Sequence, residues 1–376
     1  MPIRNTLERW GSIAQFFHWV IVLLVIGQFV LAFMADSLPV GMQKLALLAR
    51  HKSFGITILA LATLRLMWRA ANRTPPMPPT MAPWERLGAR AAHALLYGLL
   101  FAVPLAGWTM SSAKNFPVSW FGLFQLPDLV APNESTYDVL HEVHEILAFT
   151  LGGVAILHLL AALKHHFIDR DAVLRRMLPF VRVPGIAALL LAGSLALQGD
   201  ASAAAPAPGT ATGGAASGTL QFRFTQAGAA TVGSFGQFEA TLTTGPDAAP
   251  AALRVTVDTG SIGTQDKDRD TALRSRDLFD VAQFPRATFV SDSIRRTAAG
   301  RFEAPGKLTI RGVTRDVTLP FALTADPEGT TTGWLLAGEL SIRRLDYGIG
   351  QGEWRSTEMV GDAVTVVYSV KLAVTH

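Results

Sequence analysis

Residues 141–167 read HEVHEILAFTLGGVAILHLLAALKHHF, an apolar segment that contains five histidines. A membrane-spanning helix needs about 20 predominantly apolar residues, so this segment is long enough to cross a bilayer. Ionisable side chains inside such a helix are costly and are functional by default. The segment therefore predicts a transmembrane helix whose histidines have a functional role.

The composition of the whole chain agrees with a membrane protein of several domains. Of its 376 residues, 49% are hydrophobic and 16% are charged, and this length predicts two or three domains. The net charge of +4 comes from basic residues beside apolar runs, which indicates membrane topology rather than nucleic-acid binding. The absence of cysteine excludes disulfides, thiolate metal sites, iron–sulfur clusters and covalently attached haem.

Four apolar runs are long enough to span a bilayer, at 13–34, 52–69, 91–111 and 145–164. Basic residues flank the second run and follow the fourth, whereas the segment between the third and fourth has one lysine and four acidic residues. The positive-inside rule then predicts a cytoplasmic N-terminus. Arg65, near the end of the second run, is expected to snorkel towards the headgroups.

Two further segments separate these runs from the rest of the chain. Residues 181–200 combine a basic flank with about 14 apolar residues and precede the small-residue run ASAAA. This layout is typical of a secretory signal peptide inside the chain, or of a short fifth membrane helix. Residues 201–217, rich in Ala, Pro, Gly and Thr, predict a flexible linker. The remainder is expected outside the cytoplasm.

Residues 218–376 have a different pattern, with alternating segments such as TLQFRFTQ and AVTVVYSVKLAV between turn residues. Many short strands at even spacing predict an antiparallel sandwich or barrel. One helical interruption is expected at DRDTALRSRDLFDV (268–281), which overlaps the charged run DKDRDTALRSRD at 266–277. Such a run could bind a metal or phosphate, but a solvated helix with i,i+4 ion pairs is favoured.

The spacing of the membrane histidines indicates two metal sites. His144 and His158 are 14 residues apart, which places them on one helix face about 21 Å apart along the axis. His18 matches the depth of His158, and His51 matches the depth of His144. Two bis-imidazole sites in a four-helix bundle suit two b-type haems. A single membrane histidine more often makes an interhelical hydrogen bond, but four at paired depths favour ligation.

The other histidines have less specific signals. His93 lies near the inner site, where packing is favoured over a haem or quinone role. His141 is expected to be solvated or to touch the outer site. His165 and His166 are expected at headgroup level, with a quinone or proton role as the alternative.

Four segments, containing IAQFFHWVIVLLV, RHKSFGITILALATLRLMWR, AAHALLYGLLFAVPLAGW and the opening stretch, resemble the bacterial cytochrome b561 family over about 1–180. The resemblance implies two b-type haems on four transmembrane helices, with the ligands His18, His51, His144 and His158. Some members of the family move electrons from superoxide to membrane quinone, and others accept them from a partner dehydrogenase or another periplasmic redox protein. Few basic residues could attract an anion to the outer side: Lys44, Arg50, Lys52 and Lys114.

Three blocks in the second half resemble the YceI-like family of polyisoprenoid-binding proteins: DTGSIGTQDKDRDTALRSRDLFDVAQFPRATFVSDSI, GKLTIRGVTRDVTLPF and GELSIRRLDYGIG. The resemblance implies a lipocalin-like antiparallel barrel that holds an isoprenoid chain or quinone. A histidine-containing segment usual at the start of the family is replaced here by TQAGAATVGSFGQF, so any role of that histidine is absent. Six aromatic residues could line the cavity or simply fill a core: Phe222, Phe224, Phe235, Phe238, Trp334 and Trp354.

The sequence thus predicts a bacterial inner-membrane dihaem cytochrome over 1–180, joined through 181–200 and 201–217 to a periplasmic barrel over 218–376. Its expected partners are membrane lipid, quinone and an isoprenoid ligand in the barrel, without nucleic acid. The alternative is a periplasmic isoprenoid carrier or stress-response binding module, tethered to a cytochrome and released by cleavage after ASA. A transporter is disfavoured because the paired histidines already have a simpler use.

Overall fold

The computed structural model describes residues 3–178, 211–214, 218–244, 249–325 and 333–374. The chain divides into two compact units, one helical and one formed mainly by β-strands. The segment 181–200, for which a signal-like sequence or fifth membrane helix is expected, lies outside the described residues.

The helical unit contains four long helices, which are α1 (Ser12–Asp36), α2 (Met42–Ala71), α3 (Pro83–Ala113) and α4 (Glu134–Phe167). Each is long and apolar enough to cross a membrane, and together they contain the four predicted runs. A small hairpin of β1 (Ser119–Trp120) and β2 (Phe124–Gln125) lies between α3 and α4, and the short α5 (Val173–Met177) follows α4.

Local capping explains where two of the helices begin. Pro83 occupies the first turn of α3, where its missing N–H is tolerated, and the Glu85 carboxylate accepts a 2.9 Å hydrogen bond from the Ala82 N–H. At the start of α4, the Asn133 side chain accepts a 2.9 Å hydrogen bond from the Thr136 N–H.

The two ends of the helical unit are named by their residues. The proximal end contains the start of α1 and the end of α4, where Lys164 and Glu85 form a 2.6 Å ion pair. The distal end contains the end of α3 and the start of α4, where the Asn133 N–H donates to the Ala113 carbonyl at 2.9 Å. These contacts fix α3 and α4 as antiparallel neighbours at both ends.

The second unit is a curled antiparallel sheet with one helix, α6 (Lys267–Arg274). Its described strands are β3 (Ala211–Gly214), β4 (Gly218–Gln226), β5 (Ala229–Phe235), β6 (Phe238–Thr244), β7 (Pro250–Asp258), β8 (Ile262–Gly263), β9 (Arg286–Ser291), β10 (Arg295–Ala298), β11 (Arg301–Ile310), β12 (Val313–Ala325), β13 (Gly333–Arg343) and β14 (Val360–Val374). The order of neighbours is β13-β12-β11-β9-β7-β6-β3-β14-β4-β5-β8, and β10 pairs with β11.

The ring of pairings is closed by β14, which pairs with β13 on one side and with β3 and β4 on the other. This is the lipocalin-like antiparallel architecture that the sequence predicts. The linker expected over 201–217 differs in part from the structure, because Ala211–Gly214 forms β3 between β6 and β14. The small residues of this segment do not alternate with apolar ones, so the sequence does not predict a strand there. β3 is formed because β6 and β14 provide backbone hydrogen-bond partners on both of its sides.

Turn chemistry and alternation set the register of the strands. Ala227 and Gly228 have φ values of 52° and 77°, as a two-residue type I′ hairpin between β4 and β5 requires. Along β5, residues Ala229, Thr231 and Gly233 are buried and alternate with exposed neighbours. The inward-facing residues form one apolar core, which includes Leu242, Leu253, Phe289, Leu323 and Leu372.

Candidate functional site

The helical unit brings four of its histidines together in two pairs. The imidazole ring centroids of His18 and His158 lie 6.4 Å apart at an interplanar angle of 84°. Those of His51 and His144 lie 6.3 Å apart at 76°. The first is named the proximal pair and the second the distal pair. These are the same pairs that helix depth predicts from the sequence.

The separation within each pair suits one iron between two imidazoles. A metal–imidazole bond is about 2 Å long, and the bonding nitrogen lies about 1 Å from its ring centroid, so two rings on opposite sides of one metal have centroids about 6 Å apart. Both pairs match this separation. His93 lies only 5.2 Å from His158, which is closer than the same geometry predicts. His18 is therefore the better counterpart of His158.

The ring of His144 is already oriented for ligation. Its Nδ1 lies 3.0 Å from the backbone carbonyl of Val103 and must donate to it, which leaves Nε2 free of a proton. A Cβ atom on Gly107 would come within 2.9 Å of His144 Cε1, so glycine makes room for the ring against α3. A donating Nδ1 and a cleared position are what a haem ligand requires.

The ring of His51 has an unsatisfied nitrogen. Its Nδ1 is buried and has no hydrogen-bond partner in the described structure. Gln28 on α1 donates from Nε2 to the His51 backbone carbonyl at 2.9 Å, and its own Oε1 is also buried without a partner. A buried imidazole nitrogen without a hydrogen-bond partner is what a histidine at a cofactor or metal site would show.

The remaining histidines are placed differently from one another. His141 is exposed and lies against Tyr137, with ring centroids 5.8 Å apart. His165 is buried, and its Nδ1 lies 2.8 Å from Asp171 and 2.9 Å from Asp169. The ring of His166 packs on Phe167 at 4.8 Å. The expectation of a purely interfacial His165 is therefore incomplete, because carboxylates from the following turn enclose it.

A cluster at the proximal end was not found by sequence reasoning. Glu85, His165 and Asp169 place their ligand atoms within 4.8 Å of one another, as a metal site would. However, the Lys164 ammonium lies 2.6 Å from Glu85 and 2.7 Å from Asp169, so a lysine supplies the positive charge. The cluster joins the start of α3 to the end of α4, and only the spatial proximity of these helices could reveal it.

Arg65, which the sequence predicts to snorkel towards the headgroups, is half-buried in the structure. Its Nε donates a 3.0 Å hydrogen bond to the Tyr97 hydroxyl, and its Nη1 is buried without a hydrogen-bond partner. The Tyr97 hydroxyl on α3 thus holds one edge of the guanidinium by a hydrogen bond. One turn later, Arg69 lies over the rings of Trp10 and Tyr97, at 5.8 and 5.7 Å.

The four basic residues expected to attract an anion are mostly engaged with the protein. Lys44 donates a 3.1 Å hydrogen bond to the Leu38 carbonyl. Lys52 donates to the backbone carbonyls of Phe116 and Pro117, each at 3.1 Å. Lys114 lies 3.3 Å from the Tyr137 hydroxyl. Arg50, the residue before His51 on α2, is exposed.

The six aromatic residues proposed for the barrel interior do not form one lining. Phe238 and Trp334 belong to the main core, while the ring of Phe222 contacts Phe224 at 5.9 Å and Phe235 at 5.3 Å. Trp354 is buried in a separate apolar cluster, with Leu278, Tyr347 and Ile349. Trp354 is therefore displaced from the other five by the irregular segment that precedes β14.

The charged run at 266–277 forms the capped helix α6 rather than an evident ion site. Asp266 accepts a 3.0 Å hydrogen bond from the Arg269 N–H, and Asp270 accepts from the Thr264 N–H at 2.8 Å. The Arg269 side chain is mostly buried and donates to both oxygens of Thr264 at 2.8 Å. Burial lowers the pKa of Arg269, although Asp266 and Asp270 oppose this shift. No residue of α6 is fully buried, which agrees with the solvated helix that the sequence favours.

Comparison with known proteins finds a matching family model for each unit. Residues 9–180 match the family model described as prokaryotic cytochrome b561, and residues 214–372 match that of the YceI-like domain. Cytochrome b561 homolog 2 of Escherichia coli K12 is 38% identical over 180 residues, which are 47% of this chain and 95% of that relative.

Two further matches cover one unit each. The probable superoxide oxidase CybB of Yersinia pestis is 32% identical over 172 residues, which are 46% of this chain and 97% of that relative. Among solved structures, Burkholderia cenocepacia BcnA is 30% identical with a TM-score of 0.39, over 42% of this chain and 97% of that chain.

Proposed function

Because the chain belongs to the cytochrome b561 family and carries a YceI-like domain, we propose that it transfers electrons across a membrane through two b-type haems. Family membership implies a b-type haem, and the number of two rests on the two histidine pairs. His18 and His158 would hold one haem, and His51 and His144 the other. The observation that carries the proposal is the separation of 6.4 and 6.3 Å within the pairs.

A bound haem supplies reversible one-electron chemistry, and the protein supplies ligands, orientation and exclusion of water. α4 would contribute one ligand to each pair, and their offset of 14 positions sets a spacing of about 21 Å along the helix. The Val103 carbonyl accepts a hydrogen bond from the His144 Nδ1, which would leave Nε2 available to hold the metal. Electrons would then pass between the distal and proximal sites.

The proposed topology places the proximal end at the cytoplasm and the β-unit in the periplasm of a bacterial inner membrane. Basic residues of the loop between α2 and α3 and of the segment after α4 support this orientation. Membrane quinone is the proposed exchange partner. One relative is named a probable superoxide oxidase, and exposed Arg50 beside His51 favours an anionic donor at the distal site. A partner dehydrogenase or periplasmic redox protein is the alternative donor.

The β-unit is proposed to bind an isoprenoid lipid, including the tail of a quinone. Its ring of strands is closed by β14, and a closed antiparallel ring can enclose one small ligand. The rings of Phe222, Phe224 and Phe235 provide an apolar aromatic surface. Haem reduction by quinol should be faster with the β-unit attached than after its removal, if the bound isoprenoid is a substrate.

Haem content per chain tests the electron-transfer function first. Pyridine haemochrome analysis of the detergent-purified protein is expected to give two b haems in the parent and one each in His51→Ala and His158→Ala. His141→Ala is the matched control, because its ring is exposed, and it should keep both haems. A folded parent without haem would exclude this function, and equal loss in all three variants would exclude the assigned ligands.

A second candidate function follows from the small-residue run at 201–205. Cleavage there would release the β-unit as a periplasmic isoprenoid carrier. N-terminal sequencing of any periplasmic fragment distinguishes the two cases. A fragment that begins within this run supports the carrier, and a single full-length membrane species supports the fused cytochrome.

A further inference from the structure

Arg65 on α2 is a charged side chain with only part of its hydrogen-bonding groups paired. Its Nε is satisfied by the Tyr97 hydroxyl at 3.0 Å, but its Nη1 is buried and without a hydrogen-bond partner. Among residues 3–178, which the structure describes in the helical unit, no carboxylate lies within ion-pair distance of it. The guanidinium is therefore a positive charge without a negative partner.

A guanidinium in such a position is unfavourable in a membrane unless an anion compensates it. Arg65 lies within the span of α2, six residues before its end at Ala71. Arginine keeps its proton under all ordinary conditions, so it cannot become neutral as a buried lysine does. Charged groups inside membrane spans pair with one another or mark a ligand site. Since residues 3–178 offer no carboxylate there, a bound anionic group would supply the missing negative charge.

The position of Arg65 identifies the neighbouring site. Tyr97 follows His93 by four residues on α3, so both occupy the same helix face. The ring of His93 in turn lies 5.2 Å from that of His158. Arg65 is also within electrostatic reach of His18 and His158. The unpaired guanidinium therefore lies beside the proximal pair.

We propose that Arg65 binds a propionate carboxylate of the haem held by His18 and His158, with the Tyr97 hydroxyl fixing the guanidinium. This inference rests on the proposed function, because it assumes a haem at the proximal pair. A b-type haem carries two propionates at one edge, and a guanidinium forms strong charge-assisted hydrogen bonds to a carboxylate. Arg65 is thus a positioning residue for the haem and not a ligand of its iron.

The proposal is tested by binding two forms of haem to the apoprotein. Haem b has free propionates, and haem dimethyl ester has none but keeps the same iron and macrocycle. Arg65→Gln is expected to weaken proximal binding of haem b by about tenfold or more, and to leave binding of the dimethyl ester nearly unchanged. The ratio of the two affinities isolates the contact between Arg65 and the carboxylate.

Two variants and a redox titration make the outcome specific. Arg65→Lys should restore part of the affinity for haem b, because it keeps the charge. Arg69→Gln removes the same charge one turn nearer the proximal end, where the side chain rests on Trp10 and Tyr97, and should have a smaller effect. In Arg65→Gln that retains both haems, the midpoint potential of the proximal haem alone should fall, because a positive charge no longer favours the reduced state.

The results that would overturn the inference are distinct from failure of the proposed function. Equal weakening of both haem forms would assign Arg65 to the fold, and unchanged affinity for both would show that it has another ligand. A fall in the potential of both haems to the same extent would also contradict a local contact. A parent that binds no haem at all would overturn the proposed function itself, and this inference with it.

Discussion

At the scale of single residues, the absence of a side chain is as informative as the histidines. Gly107 faces His144 so closely that an added Cβ would approach Cε1 to 2.9 Å. Such a contact is shorter than carbon atoms tolerate, and α3 and the ring cannot both keep their positions. Glycine at this point is therefore part of the distal site although it makes no hydrogen bond to it.

Gly107→Ala is expected to displace the His144 ring and to weaken the distal haem selectively. Gly98→Ala is the matched control, because it is on the same helix and an added Cβ there meets no atom within 4 Å. Haem content and redox titration should show loss or a shifted potential at one haem in Gly107→Ala and no change in Gly98→Ala. Two unperturbed haems in both variants would contradict the assigned geometry.

Arg344 in the β-unit contrasts with Arg65, because all three nitrogens of its guanidinium donate hydrogen bonds. It is 4% exposed, and its guanidinium donates to backbone carbonyls of the segment between β13 and β14 and of the start of β14: Ile349, Trp354, Ser356, Val360 and Gly361. Burial lowers the pKa of Arg344, with Asp362 opposing the shift. The side chain thus holds together a segment that has little regular structure.

Arg344→Met should destabilise the β-unit by about 3 kcal/mol or more, because several buried carbonyls lose their donors. The adjacent Arg343→Met is the control, since that side chain is 70% exposed and loses only a surface ion pair with Asp362. Thermal unfolding followed by tryptophan fluorescence separates the two. Similar melting temperatures for both variants would show that the carbonyls find other donors.

At the scale of elements, periodicity predicts what lies along one helix, and it does not predict contacts between helices. The positions of His144 and His158 follow from 3.6 residues per turn, and the pairing with His18 and His51 follows from depth. The Val103 carbonyl, Gly107 and the Tyr97–Arg65 hydrogen bond depend on how α2, α3 and α4 meet. None of these residues has a distinctive type or spacing, so the sequence could not show their part in the site.

The β-unit shows the same limit in another form. Alternation and turn residues predict antiparallel strands, but β3 is too short and too rich in small residues to have a signal. The charged run at 266–277 predicts a helix, whereas the burial of Arg269 depends on contacts with Thr264 and Gln226 from outside it. Elements with a strong local pattern are therefore predictable, and those stabilised by their neighbours are not.

The cap of α6 gives a prediction at this scale. Asp266→Ala removes the acceptor for the Arg269 N–H and is expected to cost about 1 kcal/mol of stability, as for other helix caps. Asp266→Asn retains an acceptor and should recover most of this loss. The free energy of unfolding in urea measures both. Equal destabilisation by Ala and Asn would indicate that the charge, rather than the cap, is what matters.

At the scale of the whole molecule, the absence of native cysteine allows the proposed topology to be measured directly. Thr80→Cys is in the exposed loop between α2 and α3, and Asp128→Cys is in the exposed loop between α3 and α4. A membrane-impermeant maleimide should label Cys at 128 in intact spheroplasts, and Cys at 80 only after lysis. The reverse pattern would contradict the proposed topology. It would place the distal pair at the cytoplasmic side and the β-unit in the cytoplasm.

The shared helix α4 restricts how a gene for such a protein can change. Because one helix carries a histidine of each pair, an insertion of one residue between His144 and His158 would turn the second histidine by about 100° away from its partner. An insertion of seven residues restores the angle but lengthens the segment by about 10 Å, beyond what the bilayer and the other three helices accommodate. Substitutions can therefore accumulate between the two histidines, while the number of residues separating them cannot drift.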